Sequence, residues 1–110
     1  MDAHGIIVHG YGNGGIVMIE KKERMVEVND DWYPCFPGNK VRLRLSLLYF
    51  KCYYVKLSAW GADDTGVEIE CHASDLQDAA DKYNALSKVY DSVPDGCDRQ
   101  WFFDHGFVRA

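Results

Sequence analysis

Between Lys40 and Trp60 the chain reads KVRLRLSLLYFKCYYVKLSAW, and its apolar residues keep to one parity. Val41, Leu43, Leu45, Leu47 and Tyr49 are odd, as are Tyr53, Val55, Leu57 and Ala59, with only Lys51 interrupting the series. Arg42, Arg44, Ser46, Lys56 and Ser58 are even. Successive side chains of a strand point to opposite faces, so this is the pattern of a half-buried strand. Drawn as one straight strand, residues 41–59 reach about 63 Å, against ~17–20 Å for common strands. The segment therefore turns or bends near Phe50–Cys52. A two-residue hairpin loop pairs position i with i+3 and exchanges odd for even on the buried face. A three-residue connection or a sharp bend preserves parity. Because the stretch holds no Gly, Pro, Asn or Asp, the expectation is a bend between consecutive β segments at about 40–49 and 52–60.

The flanking chain supplies more strands and one helix. Gly5–His9 (GIIVH) and Ile16–Glu20 (IVMIE) read as strands around the loop GYGNGG. Lys21–Arg24 reads as a polar connector, after which Met25–Val28 resumes the β pattern. Two prolines and a glycine make Asn29–Asn39 a loop, with Trp32, Tyr33 and Phe36 expected to fold back onto the core. Gly61–Gly66 is a hairpin turn into the alternating VEIECH of residues 67–72. Ser74-Asp75-Leu76-Gln77 matches a capping box, and Leu76, Ala79, Ala80, Tyr83, Leu86 and Tyr90 follow at steps of three and four. A helix over about 75–92 is expected, ended by Pro94-Asp95-Gly96. Trp101-Phe-Phe and Phe107-Val-Arg read as short strands.

A single α+β domain over 1–110 follows: an antiparallel sheet of five to seven strands with one amphipathic helix packed on one face. No apolar run approaches the ~20 residues of a membrane-spanning helix. Met1-Asp2-Ala3-His4 has neither the basic nor the apolar region of a signal peptide, so a cytoplasmic protein is expected. Cys35, Cys52, Cys71 and Cys97 stand far apart and read as reduced, mostly buried thiols; their spacing is not that of a zinc site.

The motifs that carry chemistry are few. Gly10–Gly15 has the letters G-x-G-x-x-G, but a dinucleotide loop must open a helix, and this one opens onto a strand. It reads as a hairpin loop. Asp30-Asp31 and Asp63-Asp64 read as turn formers. No catalytic residue, metal site or cofactor is assigned. A Cys/His site built from Cys71 or Cys52 with His72 or His105 is the form an enzyme would take, and it would have to be assembled by the fold.

Charge is distributed unevenly. Residues 1–31 carry a net −3, residues 32–62 carry five bases and no acid, and residues 63–110 carry a net −7. The bland account is a solvated strand face whose Arg42, Arg44 or Lys56 pair across the sheet with Glu68 and Glu70. The functional reading is a small non-catalytic binding protein that occupies a surface of a macromolecular partner. An inhibitor or immunity-type protein of mobile-element origin, anti-CRISPR-like or a toxin antidote, is its concrete form. Asp75, Asp78, Asp81, Asp95 and Asp98 would meet a basic protein partner, with Trp60 or Trp101 as aromatic anchor. The alternative is a nucleic-acid-binding module using Arg42, Arg44, Lys51 and Lys56 among the tyrosines of the basic stretch. The acidic pI of about 5.2 counts against that alternative.

Overall fold

The computed structural model describes residues 15–29, 32 and 34–110. The expected Gly5–His9 strand and most of the glycine loop lie outside them, as do His4, His9 and Tyr33. Among the described residues five strands form one antiparallel sheet in chain order: β1 (Val17–Glu27), β2 (Lys40–Phe50), β3 (Cys52–Trp60), β4 (Gly66–Ala73) and the short β5 (Val108–Arg109). Helix α1 (Leu76–Ser92) crosses one face, and a short helix α2 (Arg99–Asp104) precedes β5. This is the expected α+β architecture.

The turn within the basic stretch resolves differently from expectation. β2 and β3 are not two halves of a bent strand but an antiparallel hairpin, with Tyr49 opposite Tyr53 and Phe50 opposite Cys52. Lys51 alone spans the apex, at φ 66. Parity is preserved, since this connection keeps odd residues on one face. The preference for a bend fails because Lys51 itself adopts the left-handed conformation that Gly or Asn would adopt at lower cost.

Odd residues of the hairpin build the core. Val41, Leu43, Leu45, Leu47, Val55, Leu57 and Ala59 are fully buried, facing Ala79, Tyr83, Leu86 and Tyr90 of α1. Asp75 caps α1, its side chain accepting from the Asp78 N–H at 2.8 Å. The helix places no base in its own last turn. Arg24 of β1 supplies one, donating to the Tyr90 and Val93 carbonyls at 2.9 and 3.2 Å. Lys22 reaches the same helix through the Ser87 hydroxyl at 2.6 Å. Hence the expected polar connector at Lys21–Arg24 is strand: β1 runs through it with a bulge between Met18 and Glu20. Lys22 and Arg24 are polar on the helix side because they tie down the end of α1, not because the strand stops there.

The 29–39 loop returns to the core through Trp32, which is fully buried and meets Phe102 edge-on at 5.2 Å. Trp101-Phe-Phe is helix rather than strand. Asp98 caps it by accepting from the Trp101 N–H at 2.9 Å. Of the three aromatics only Phe102 is fully buried, an alternation that reads as strand over so short a run; the Asp98 cap is what marks a helix. Among the described residues all four cysteines are free, but only Cys97 is buried. Cys35, Cys52 and Cys71 are half-buried, against the expectation of mostly buried thiols. Among the described residues no helix is long and apolar enough to cross a membrane.

Candidate functional site

The acids singled out in the sequence are each engaged locally, and the fold does not gather them. Asp75 and Asp98 are the two helix caps. The Asp95 carboxylate accepts from the Glu27 N–H at 3.2 Å, which ties the post-helix turn to the end of β1. Asp78 pairs with Lys82 at 2.6 Å, and Asp81 accepts from Gln77 at 3.1 Å. Asp75 precedes α1 while Asp95 and Asp98 follow it, and a helix of that length spans about 25 Å. Trp101 is half-buried beside the core, stacked on His105 with ring centroids 3.8 Å apart.

The bases are gathered, and Trp60 lies among them. Even residues of β2 and β3 point to the sheet face opposite α1. There the Arg44 guanidinium lies over the Trp60 ring at 5.0 Å and that of Arg42 at 5.8 Å. Arg42 also lies over Phe36 of the preceding loop at 5.2 Å. Lys56 is one register step further along β3, while Lys51 stands apart at the hairpin apex over Phe50. Arginine holds a flat guanidinium against an aromatic face better than lysine does, which suits Trp60 to being presented rather than buried.

The expected cross-sheet ion pairs form only in part. Lys56 pairs with Glu68 at 3.8 Å. Arg44 instead donates from Nε to Glu23 of β1 at 3.0 Å, because β3 separates β2 from β4. That hydrogen bond holds the Glu23 carboxyl below its usual range, with the Arg44 charge adding to it. By register the face carries Lys21, Lys40, Arg42, Arg44 and Lys56 against Glu23, Glu27, Glu68 and Glu70, so it is nearly neutral.

Two hollows mark this face. A groove of about 330 Å³ is lined by Arg44 and Lys56, by Ser46, Ser58, Trp60, Met18 and Leu48, and by the acids Asp64 and Glu68. Next to it, Ile16, Leu48, Phe50 and Tyr54 surround an apolar cleft of about 250 Å³. From the sequence Phe50 and Tyr54 were in view only as stacking residues of the nucleic-acid alternative, and Ile16 and Leu48 were not singled out. The signal was present in Leu48 and Phe50, which occupy even positions where a solvated strand face would be polar.

The Cys/His possibilities separate. Cys71 packs against the core, while His72 follows it on the other face. His105 is held by Trp101, its Nδ1 2.7 Å from the Trp101 carbonyl oxygen. Cys52 and His72 do line one shallow depression, together with Ser74 and Asp78. Next to it, a hydrogen bond with Cys52 pushes the Tyr54 phenol up, and Tyr54 meets the His72 ring edge-on at 4.5 Å. Among the described residues no group of three or more His, Cys, Asp or Glu side chains is placed to hold a metal ion. Comparison with protein-family models, with curated proteins and with solved structures returns no match.

Proposed function

We propose that this is a non-catalytic binding protein that occupies the surface of a protein partner through the sheet face opposite α1. The observation that carries the reading is Trp60, half-buried on that face with two arginine guanidiniums against its ring. Protein interfaces are enriched in Trp, Tyr, Arg and Met, and a few such anchors carry most of the binding energy. Met18, Phe36, Leu48 and Tyr54 continue the same chemistry around Trp60, and near-neutrality favours a protein over a polyanion. An inhibitor or antidote is the concrete form, since such a protein needs a contact surface and no chemistry of its own. The acids along α1 lie on the other side and have local work, so they are secondary here.

The test uses paired variants as bait in lysate of the source cell. Trp60→Ala with Arg42→Glu alters the sheet face, and Asp78→Lys with Asp81→Lys alters the helix. Loss of one captured protein with the first pair and its retention with the second supports this reading. The opposite outcome moves the contact to the acidic helix. Capture of nucleic acid alone, lost with the first pair, establishes the nucleic-acid alternative.

A further inference from the structure

β1 lies at one end of the strand order, and its outer edge carries backbone groups with nothing to bond. The Glu27 N–H and C=O both turn off the sheet, to the Asp95 carboxylate at 3.2 Å and the Gly96 N–H at 2.8 Å. The alternation of an antiparallel ladder turns the same groups of Lys21, Glu23 and Met25 that way too. Among the described residues no strand pairs with β1 on that side, and the loop hydrogen bonds to this strand reach Glu27 alone. Lys21, Glu23 and Met25 are also exposed.

Such an edge is a template for strand addition, and charged side chains are the usual protection against it. Here the charges differ in sign along the strand, so an edge that repels most strands is complementary to a second copy of itself. In a two-fold antiparallel pair centred on Lys22, Lys21 stands opposite Glu23 of the second copy and Glu20 opposite its Arg24, and each pairing occurs twice. Lys21 and Glu23 both bond outward, so the same register lets them exchange backbone hydrogen bonds. Lys22 meets its own copy, but its ammonium is drawn onto α1 by Ser87 and Asp91. Centring on Glu23 or Arg24 instead sets that residue against itself. Centring on Lys21 opposes Lys21 to itself and keeps only Glu20 against Lys22. The bulge between Met18 and Glu20 and the engaged Glu27 bound the usable edge.

We propose that β1 pairs edge to edge with β1 of a second copy in this register, making a two-fold dimer with one continuous sheet. The axis stands perpendicular to the sheet, so both Trp60 faces lie on the same side and form one doubled contact surface. The dimer does not rest on the protein-partner reading, and its test uses the purified chain alone.

Sedimentation velocity from about 1 µM to 1 mM chain, with amide hydrogen exchange at both ends of that range, reads the pairing directly. A monomer–dimer equilibrium is expected, with protection of the Lys21, Glu23 and Met25 amides rising with concentration. Lys21→Glu sets a glutamate against Glu23 of the second copy, and Glu23→Lys sets a lysine against its Lys21. Each should weaken self-association about tenfold or more, and an equimolar mixture of the two variants should restore it, which also shows that both are folded. A monomer throughout the range overturns the proposal, as does self-association that both variants leave unchanged or that their mixture fails to restore. Strong protection of the three amides at every concentration also overturns it and assigns the edge to another part of the same chain.

Discussion

Gly61→Ala should be among the most damaging single-methyl additions to this protein, for a reason unrelated to turn conformation. Gly61 follows β3, and its N–H donates to the Thr65 carbonyl at 2.8 Å across the hairpin. A Cβ built there falls on the Pro34 carbonyl oxygen, with the Pro34 carbonyl carbon at 3.2 Å and the Trp32 Nε1 at 3.3 Å. Backbone cannot move aside by changing rotamer, so either the 29–39 loop lifts or the β3–β4 turn shifts. Overpacking that is absorbed locally costs ~1–3 kcal/mol. Lifting the loop far enough to lose the packing of Trp32, which is fully buried, approaches the ~3–5 kcal/mol of a buried Trp truncation. The expected loss is about 2–4 kcal/mol, a large part of the ~5–15 kcal/mol typical of a domain. With a urea slope of ~1.5 kcal/mol per molar, the midpoint falls by about 1.3–2.7 M. Gly96→Ala is the control: Gly96 has φ +81 and nothing within 4 Å of the new methyl, so only the backbone cost of about 1 kcal/mol applies. Gly61→Ala costing less than the control, with Trp32 still buried, would refute the close approach of the loop to this turn.

Three further outcomes follow from single contacts. Arg24→Met keeps the side-chain stem but removes both donors to the last carbonyls of α1, and should cost about 2 kcal/mol in urea unfolding. Asp75→Ala and Asp98→Ala each remove a helix cap and should cost about 1 kcal/mol, with the double variant additive because the caps serve different helices. Burial pushes the Tyr83 phenol up to about 12 from its ordinary 10.0, so the folded state holds that proton more tightly than the unfolded chain does. Its contribution to stability is complete below pH 10 and is lost as the pH rises toward 12, so Tyr83→Phe should flatten the alkaline limb of a pH–stability curve.

What could be read from the sequence was periodic or local. The parity of Val41 to Ala59 determined which residues reach the core, and the steps of three and four from Leu76 to Tyr90 located α1 and its buried stripe. The errors arose where a distant partner decided the outcome. Lys21–Arg24 looks like a connector because two strand residues are charged on the core side, and only the end of α1 explains them. Lys51 looks unfit for a hairpin apex until the pairing of Tyr49 with Tyr53 outweighs its backbone strain. The aromatics at Trp101–Phe103 suggest strand, but Asp98 starts a helix whose Phe102 meets Trp32, seventy residues earlier. The candidate site was half legible. Trp60, Arg42, Arg44 and Lys56 were in view, whereas Glu23, Phe36 and Met18 come from elements whose register no local pattern specifies.

That register also changes the meaning of the basic stretch. Along the chain, residues 32–62 carry five bases and no acid, which suggests affinity for phosphates. In the sheet, β1 and β4 flank β2 and β3, bringing Glu23 to Arg44 and Glu68 to Lys56. A bound phosphate would have to displace those carboxylates or share the bases with them, so the net gain per contact is reduced. If Arg42, Arg44, Lys51 and Lys56 each neutralised a phosphate of a single strand, log K would fall against log salt with a slope of about −3. Binding centred on Trp60 and its apolar neighbours depends on buried area and shape rather than on ion release, and its slope should be well under half of that. A partner bound with a slope near −3 would reassign this face to a nucleic acid. A shallow slope together with loss of binding in Trp60→Ala would make the aromatic ring the anchor and leave the arginines the task of holding it in place.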